Sequence, residues 1–234
     1  MEVVYEDNHV IVVNKSPGEI VQGDKTGDEP LSEKVKAYIK EVYAKPGAVF
    51  LGVVHRLDRP VGGLVVFART SKSLSRLNQM FRDGKVKKTY WAIVGKNGKP
   101  NINGTADDDG FVRLEHWMIR NEKQNKSYAY DHEKPGSKHA ILDYRVIGVS
   151  DRYMLVEVRL HTGRHHQIRC QLSKVGLPIK GDLKYGAPRS NPDGSISLIA
   201  RSIEFVHPVS QKVIQLTAPL PDDRLWQTLG KNVD

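Results

Sequence analysis

Three stretches of the chain set charged and aromatic side chains at breaks between apolar runs, where chemistry could be done. The first is Val53-Val-His-Arg-Leu-Asp-Arg-Pro-Val-Gly-Gly-Leu64. His55, Arg56, Asp58 and Arg59 form a charged knot, and Pro60 with Gly62-Gly63 forces a turn before the next strand. In an extended segment Arg56 and Asp58 point the same way. A carboxylate so placed is either a catalytic acid or one half of an ion pair at a strand end. Local pattern alone favours the ion pair, which is the commoner arrangement.

The second stretch is Lys85-Val-Lys-Lys-Thr-Tyr-Trp-Ala-Ile-Val94. In a strand, Tyr90, Ala92 and Val94 share a face, and Trp91 and Ile93 take the other. Tyr90 beside the small Ala92 leaves room for a planar ligand, and Lys85, Lys87 and Lys88 just before it suit phosphates. A half-buried tyrosine with a solvated basic lead-in explains the same pattern. The third stretch is Leu160-His-Thr-Gly-Arg-His-His-Gln-Ile-Arg169, where a strand ends, Gly163 turns the chain and a helix begins. At ~100° per residue, Arg169 lies about a quarter turn off the buried stripe of Ile168, Leu172 and Val175, able to reach a cleft edge. Surface solvation accounts equally for these arginines. His161, His165 and His166 raise a zinc site, which we reject. They lack paired spacing on one regular face, and no Cys or carboxylate nearby completes a tetrahedron. Asp107-Asp-Asp109 reads as a solvated loop. No Gly-rich phosphate loop or Gly-x-Ser-x-Gly elbow is present.

The elements that position these stretches follow from periodicity. Val10–Val13 and Leu64–Ala68 read as buried strands. Residues 30–43 read as a helix with Leu31, Val35, Ile39 and Val42 inward, and 71–82 as a second, capped by Ser71, with Leu74, Leu77 and Phe81 inward. Strands are expected at Lys88–Val94, Ala140–Val149, Tyr153–Leu160, Ser197–Ala200 and Val213–Leu216, and a short helix at His166–Val175, ended by Gly176. Gly98–Gly110, His132–His139 and Gly186–Ser195 read as loops. Strands outnumber helices without strict alternation, which points to α+β with a mixed sheet.

The 234 residues suit one medium domain or two small ones sharing a core. Lys+Arg is 36 against 27 Asp+Glu, a net charge of +9 that fits a polyanionic partner as well as a merely basic enzyme. The single cysteine, Cys170, forms no internal disulfide. No apolar run reaches the ~18 residues needed to span a membrane, and the acidic start is unlike a signal peptide. A cytoplasmic protein is the expectation.

Taken together in order, these stretches resemble the RluA-type family of pseudouridine synthases. The resemblance rests on His55-Arg-Leu-Asp58, on Lys88-Thr-Tyr90 and on Gly163-Arg-His-His-Gln-Ile-Arg169. It extends to Asn8-His-Val-Ile-Val-Val-Asn-Lys15, Gly176-Leu-Pro-Ile-Lys-Gly-Asp182, His207-Pro208 and Ala218-Pro-Leu-Pro221. The chain departs from the pattern at Ser16, Gly62 and Ile199, none of them a catalytic side chain.

The resemblance implies an α+β fold: a bent mixed, largely antiparallel sheet flanked by helices, with a basic central cleft. It implies one catalytic domain over residues 1–234, without a separate N-terminal RNA-binding domain. The implied reaction is isomerisation of uridine to pseudouridine in a structured ribosomal or transfer RNA. Asp58 would act at the sugar carbon, Arg169 would keep that carboxylate ionised, and Tyr90 would stack on the base and move protons. Arg56 would enter the base stack when the target flips out, at a cost of a few kcal/mol that phosphate contacts offset. Arg59, Lys87, Lys88, Arg164 and His166 are the candidate RNA contacts. The reaction oxidises nothing, so no cofactor or metal is expected, and the protein is expected to be a monomer. Two rival readings are an RNA-binding protein that kept the fold without catalysis and a nucleosidase that releases the base.

The charge surplus predicts RNA binding that weakens steeply with salt. Lys88→Ala should flatten the slope of log affinity against log salt by about one phosphate contact or less. A wild-type slope near zero would mean that the positive charge is scattered and plays no part in binding.

Overall fold

The computed structural model describes residues 1–96, 106–231 and 233. Residues 98–105 of the expected Gly98–Gly110 loop therefore lie outside the described residues. In chain order the elements are β1 (Glu2–Glu6), β2 (Val10–Lys15), α1 (Leu31–Val42), β3 (Gly52–Val53), β4 (Gly62–Ala68), α2 (Ser71–Arg82), β5 (Lys87–Gly95) and β6 (Val112–Asn121). They continue with β7 (Lys126–Tyr130), β8 (Lys138–Val149), β9 (Tyr153–Leu160), α3 (Gln167–Lys174), β10 (Leu198–Val206), β11 (Val213–Thr217) and α4 (Arg224–Gly230). A 3-10 turn covers Leu183–Tyr185. Strands outnumber helices and the pairing is mostly antiparallel, so the expected α+β class holds.

The chain forms two compact units. The first is Met1–Lys88 with Ala200–Pro219. Its strands run in the order β1-β2-β4-β10, with β3 on β4 and β11 on β10. β2 and β4 are continuous apolar runs because both are covered on two faces. Val10, Val12, Leu64, Val66 and Ala68 pack with Leu77 of α2 and with Ile203 and Phe205 of β10. Helix α1 buries Leu31, Val35 and Ile39 as its spacing demands, but Val42 in its last turn is exposed. The cap of α2 is Thr70 rather than Ser71: the Thr70 hydroxyl accepts the Ser73 N–H. Thr70 is extended, and Ser71 is already helical.

The second unit is Thr89–Ile199 with Leu220–Asp234. It holds an antiparallel run β5-β9-β8-β6-β7. The expected alternation sets Tyr90 opposite Val158 and Ile93 opposite Leu155. Trp91, Ile93 and Leu155 form a cluster with Ile199 and with Trp226 and Leu229 of α4. Four strands and one helix (β1, β3, β6, β7 and α4) were not expected from periodicity. The alternation of β6 is interrupted because an inward slot holds His116, whose Nδ1 meets the Gln171 side-chain amide at 2.9 Å. The expected His132–His139 loop is shortened by β8, which already begins at Lys138.

Gly63 sets the approach of β10 to β4. Its φ is +109°, and a Cβ there would meet the Ala200 carbonyl oxygen at 2.4 Å and its nitrogen at 2.5 Å. Gly63→Ala should therefore cost more than ~2 kcal/mol. Gly18→Ala, at φ +90° with open space around it, should cost about 1 kcal/mol. Urea unfolding compares the two, and equal losses would mean that backbone conformation alone decides the cost.

Candidate functional site

Asp58 sits where the chain has just left the sheet. β3 pairs with β4 through Gly52↔Ala68 and Val53↔Phe67 and then stops. The next residues are irregular until β4 begins, and Asp58 opens a tight turn in which its carbonyl accepts the Val61 N–H at 3.0 Å. Leu57 is buried beside it. The turn is held from below by Lys15, at the end of β2 and 1% exposed. Its ammonium donates to the carbonyls of Ser16 (3.0 Å), Arg59 (3.1 Å) and Val61 (2.7 Å). Burial pushes Lys15 down to about 8, against the opposing pull of Glu19 and Asp58. The Arg59 carbonyl also accepts the Gly18 N–H at 2.8 Å. Upstream, the His55 Nε2 accepts the Val66 N–H at 2.9 Å, and its ring stacks on Phe81 at 4.8 Å. Burial, followed by the nearby Lys88 charge, pushes His55 down to about 3.

The other expected residues of this unit differ in their surroundings. Arg56 is exposed. Arg59 donates to Asp28 at 2.5 Å and to Thr26 at 2.8 Å, and pairs with Asp24, so an acidic loop engages the guanidinium expected at a phosphate. Lys87 is exposed and meets Glu204 at 2.7 Å. Lys88 is partly buried with its ammonium 5.6 Å from the Phe81 ring centre, and burial lowers its pKa.

Tyr90, Arg169, Arg164 and His166 belong to the second unit. Tyr90 is buried in β5. Arg169 lies in the first turn of α3 and is 5% exposed. Its Nε and one terminal nitrogen grip Asp182 at 2.6 and 2.9 Å, and its guanidinium lies 5.1 Å from the Tyr185 ring centre. His166 caps α3 in the left-handed region at φ 53°. It is buried, its Nδ1 lies 3.0 Å from the Tyr185 hydroxyl, and burial with the Arg169 charge pushes it down to about 2. An enclosed neutral ring brings no charge to a phosphate. Arg164 is exposed and donates to the His139 carbonyl. The three histidines once considered for zinc diverge in partner: His161 meets Asp143, His165 meets Ser127 and Asn125, and His166 meets Tyr185. Asp107 caps its own loop by accepting the Asp109 and Phe111 N–H groups.

A family model described as RNA pseudouridylate synthase matches residues 9–174. The chain belongs to the RNA pseudouridylate synthase family. It is 30% identical over 233 residues to ribosomal large subunit pseudouridine synthase D of Zymomonas mobilis, covering 95% of this chain and 70% of that protein. It is 29% identical over 238 residues to the RNA pseudouridine synthase YlyB of Bacillus subtilis, covering 99% and 74%. The solved structure of human RNA pseudouridylate synthase domain containing 4 shares the fold, with a TM-score of 0.73 at 21% identity over 96% of this chain and 90% of that one. The RluA-type resemblance seen in the motifs is borne out.

This pseudouridine synthase therefore carries Asp58 on a turn whose carbonyls Lys15 holds, and Arg169 on a helix where it pairs with Asp182. Motif reading gave no role to Lys15, His55, Asp182 or Tyr185. Lys15, His55 and Asp182 stood inside matched motifs, but a side chain that serves a distant backbone group or a buried partner leaves no local spacing to read. Among the described residues, no helix is long and apolar enough to cross a membrane.

Two buried neutral histidines set a pH dependence. His55 and His166 are pushed to about 3 and about 2, whereas an unfolded histidine titrates near ~6.5. Below ~6.5 the unfolded chain binds protons that the native chain refuses, so stability is complete above that pH and falls as pH drops. Each histidine adds a slope of up to ~1.4 kcal/mol per pH unit. Urea unfolding should give a lower free energy at about pH 5.5 than at about 7.5, and His166→Asn should shrink the difference. Equal values at both pH would mean that neither histidine stays neutral in the fold.

Proposed function

We propose that this pseudouridine synthase isomerises uridine in a structured ribosomal or transfer RNA, with Asp58 as the catalytic carboxylate. The bond from N1 of the base to the sugar breaks, the base turns, and C5 bonds to the same sugar carbon. The C5 proton passes to solvent and N1 regains one, so atoms balance and no electron is transferred. Positive character develops at the sugar carbon, and a carboxylate answers it either by bonding or by charge. The observation that carries the reading is Asp58 in His-Arg-Leu-Asp on a turn whose backbone a buried lysine holds rigid. Several relatives are named for the ribosomal large subunit, which makes ribosomal RNA the first substrate to test.

Tyr90 and Arg169 are assigned to the same reaction by the family motifs, Tyr90 to the base and its protons, Arg169 to the carboxylate. Arg56 is assigned to the stack vacated by the flipped base. Lys87, Lys88, Arg59, Arg164 and His166 remain the proposed RNA contacts. For Arg59 and His166 this requires that present partners be exchanged or that the ring act without charge. The 234 residues are proposed to work as one cytoplasmic, monomeric catalytic domain without a cofactor.

Asp58→Asn should lower the single-turnover release of tritium from the uracil 5-position by about 1000-fold or more while RNA affinity stays within about threefold. Wild-type release would defeat the assignment. Free uracil among the products would point to a nucleosidase instead.

A further inference from the structure

One edge of β4 is filled along its length by β2, from Val10↔Ala68 to Lys15↔Gly63. The other edge is shared by β10 and, at the far end of β4, by β3, which supplies two residues and then leaves the sheet. The next donor along that edge is the N–H of Val66, a residue 1% exposed. A buried donor left without a partner costs about 1–3 kcal/mol. A strand that continued past Val53 would satisfy it, but a continued strand would hold the following residues in the sheet and carry no turn at Asp58. The partner found there is a side chain, His55 Nε2 at 2.9 Å.

We propose that His55 is a positioning residue for Asp58: its ring takes the place on the β4 edge that β3 has left and anchors the segment that carries the carboxylate. The claim rests on Asp58 being the catalytic residue. Three residues of chain span at most about 11 Å, so a fixed His55 restricts where Asp58 can lie. Downstream, the same segment is fixed by the grip of Lys15 on the Arg59 and Val61 carbonyls. Upstream, the described anchors are the buried Leu57 side chain and the His55 ring. Asp58 is thus held between two pins, one on each side, and the ring is the upstream pin.

The hydrogen bond also assigns the tautomer. A ring nitrogen that accepts carries no proton, so in the neutral ring the proton is on Nδ1. The surroundings oppose protonation: Phe81 of α2 stacks on the ring, and the Lys88 ammonium lies over the same phenyl group.

The test compares two substitutions. His55→Leu keeps bulk and removes the acceptor. His55→Gln brings an amide oxygen near the place of Nε2 and restores it. With saturating enzyme and single turnover, His55→Leu should slow tritium release by about 100-fold, the scale expected of a displaced catalytic group. RNA affinity should stay within about threefold, and His55→Gln should return the rate to within about tenfold of wild type. Thermal melting of each variant accompanies the rates. A wild-type rate in His55→Leu overturns the proposal, and so do equal rates in the two variants. Should His55→Leu fail to fold, nitrogen-15 NMR of the wild-type protein decides. An unprotonated Nε2 that does not titrate between about pH 5 and 8 supports the anchor, and a protonated Nε2 overturns it. Asp58→Asn run in parallel separates the two claims: activity in that variant would remove the role of Asp58 and leave the Val66 hydrogen bond standing as a structural one.

Discussion

A fully enclosed ammonium must give all three of its protons to acceptors, and Lys15 meets that demand with three carbonyls. Two of those carbonyls belong to the turn after Asp58, so the lysine and the turn cannot be placed independently. The arrangement requires β2 to run to its last residue alongside β4, with Lys15 opposite Gly63. It requires β4 to start after a turn tight enough for the Asp58 carbonyl to meet the Val61 N–H. It requires a glycine at 63, where the backbone of Ala200 leaves no room for a side chain. Burial of the charge is costly, and the depressed pKa of Lys15 records that cost. A surface lysine reaching over the same loop would cost less and fix nothing.

The second unit uses an ion pair in the same way. Arg169 and Asp182 are 5% and 1% exposed and meet through two parallel hydrogen bonds. Such a pair adds little net stability over well-packed apolar residues, but breaking it by removing one partner costs about 3–5 kcal/mol. Its value is geometric. A guanidinium held at two points has one orientation, with Tyr185 beneath it. The tyrosine hydroxyl is fixed in turn by the Ser127 N–H and by His166. His166 takes a left-handed backbone at the start of α3, an uncommon conformation for a residue with a side chain. The helix carrying Arg169 is thus tied, through the cap residue just before it, to the same phenol that underlies the arginine.

Much of the architecture was legible because period and burial agree. β9 is legible to the residue from Met154, Val156, Val158 and Leu160, and α1 to within one residue at each end from Leu31, Val35 and Ile39. Failures came where local chemistry broke the pattern. The His116–Gln171 contact hid β6, since a polar residue in an inward slot reads as an interruption until its partner is known. Val42 was read as inward because periodicity does not say where a core stops. For the site, residue types alone left Asp58 as an ordinary ion-pair candidate, and the family motifs raised it. Lys15, His55 and Asp182 are out of reach of either reading, because the partners that matter here are backbone groups or buried charges 11 to 46 positions away.

Lys15 divides its action between the backbone of the turn and the field around Asp58. All three Lys15 protons are committed to carbonyl oxygens, so the lysine reaches Asp58 as a field and not as a donor. Its charge acts near the Asp58 side chain while its hydrogen bonds fix the backbone on which that side chain sits. The low-dielectric setting strengthens the field, since a buried charge is screened less than one in water. Lys15 thus contributes to position through the main chain and to charge through space, by an ammonium whose protons are already committed elsewhere.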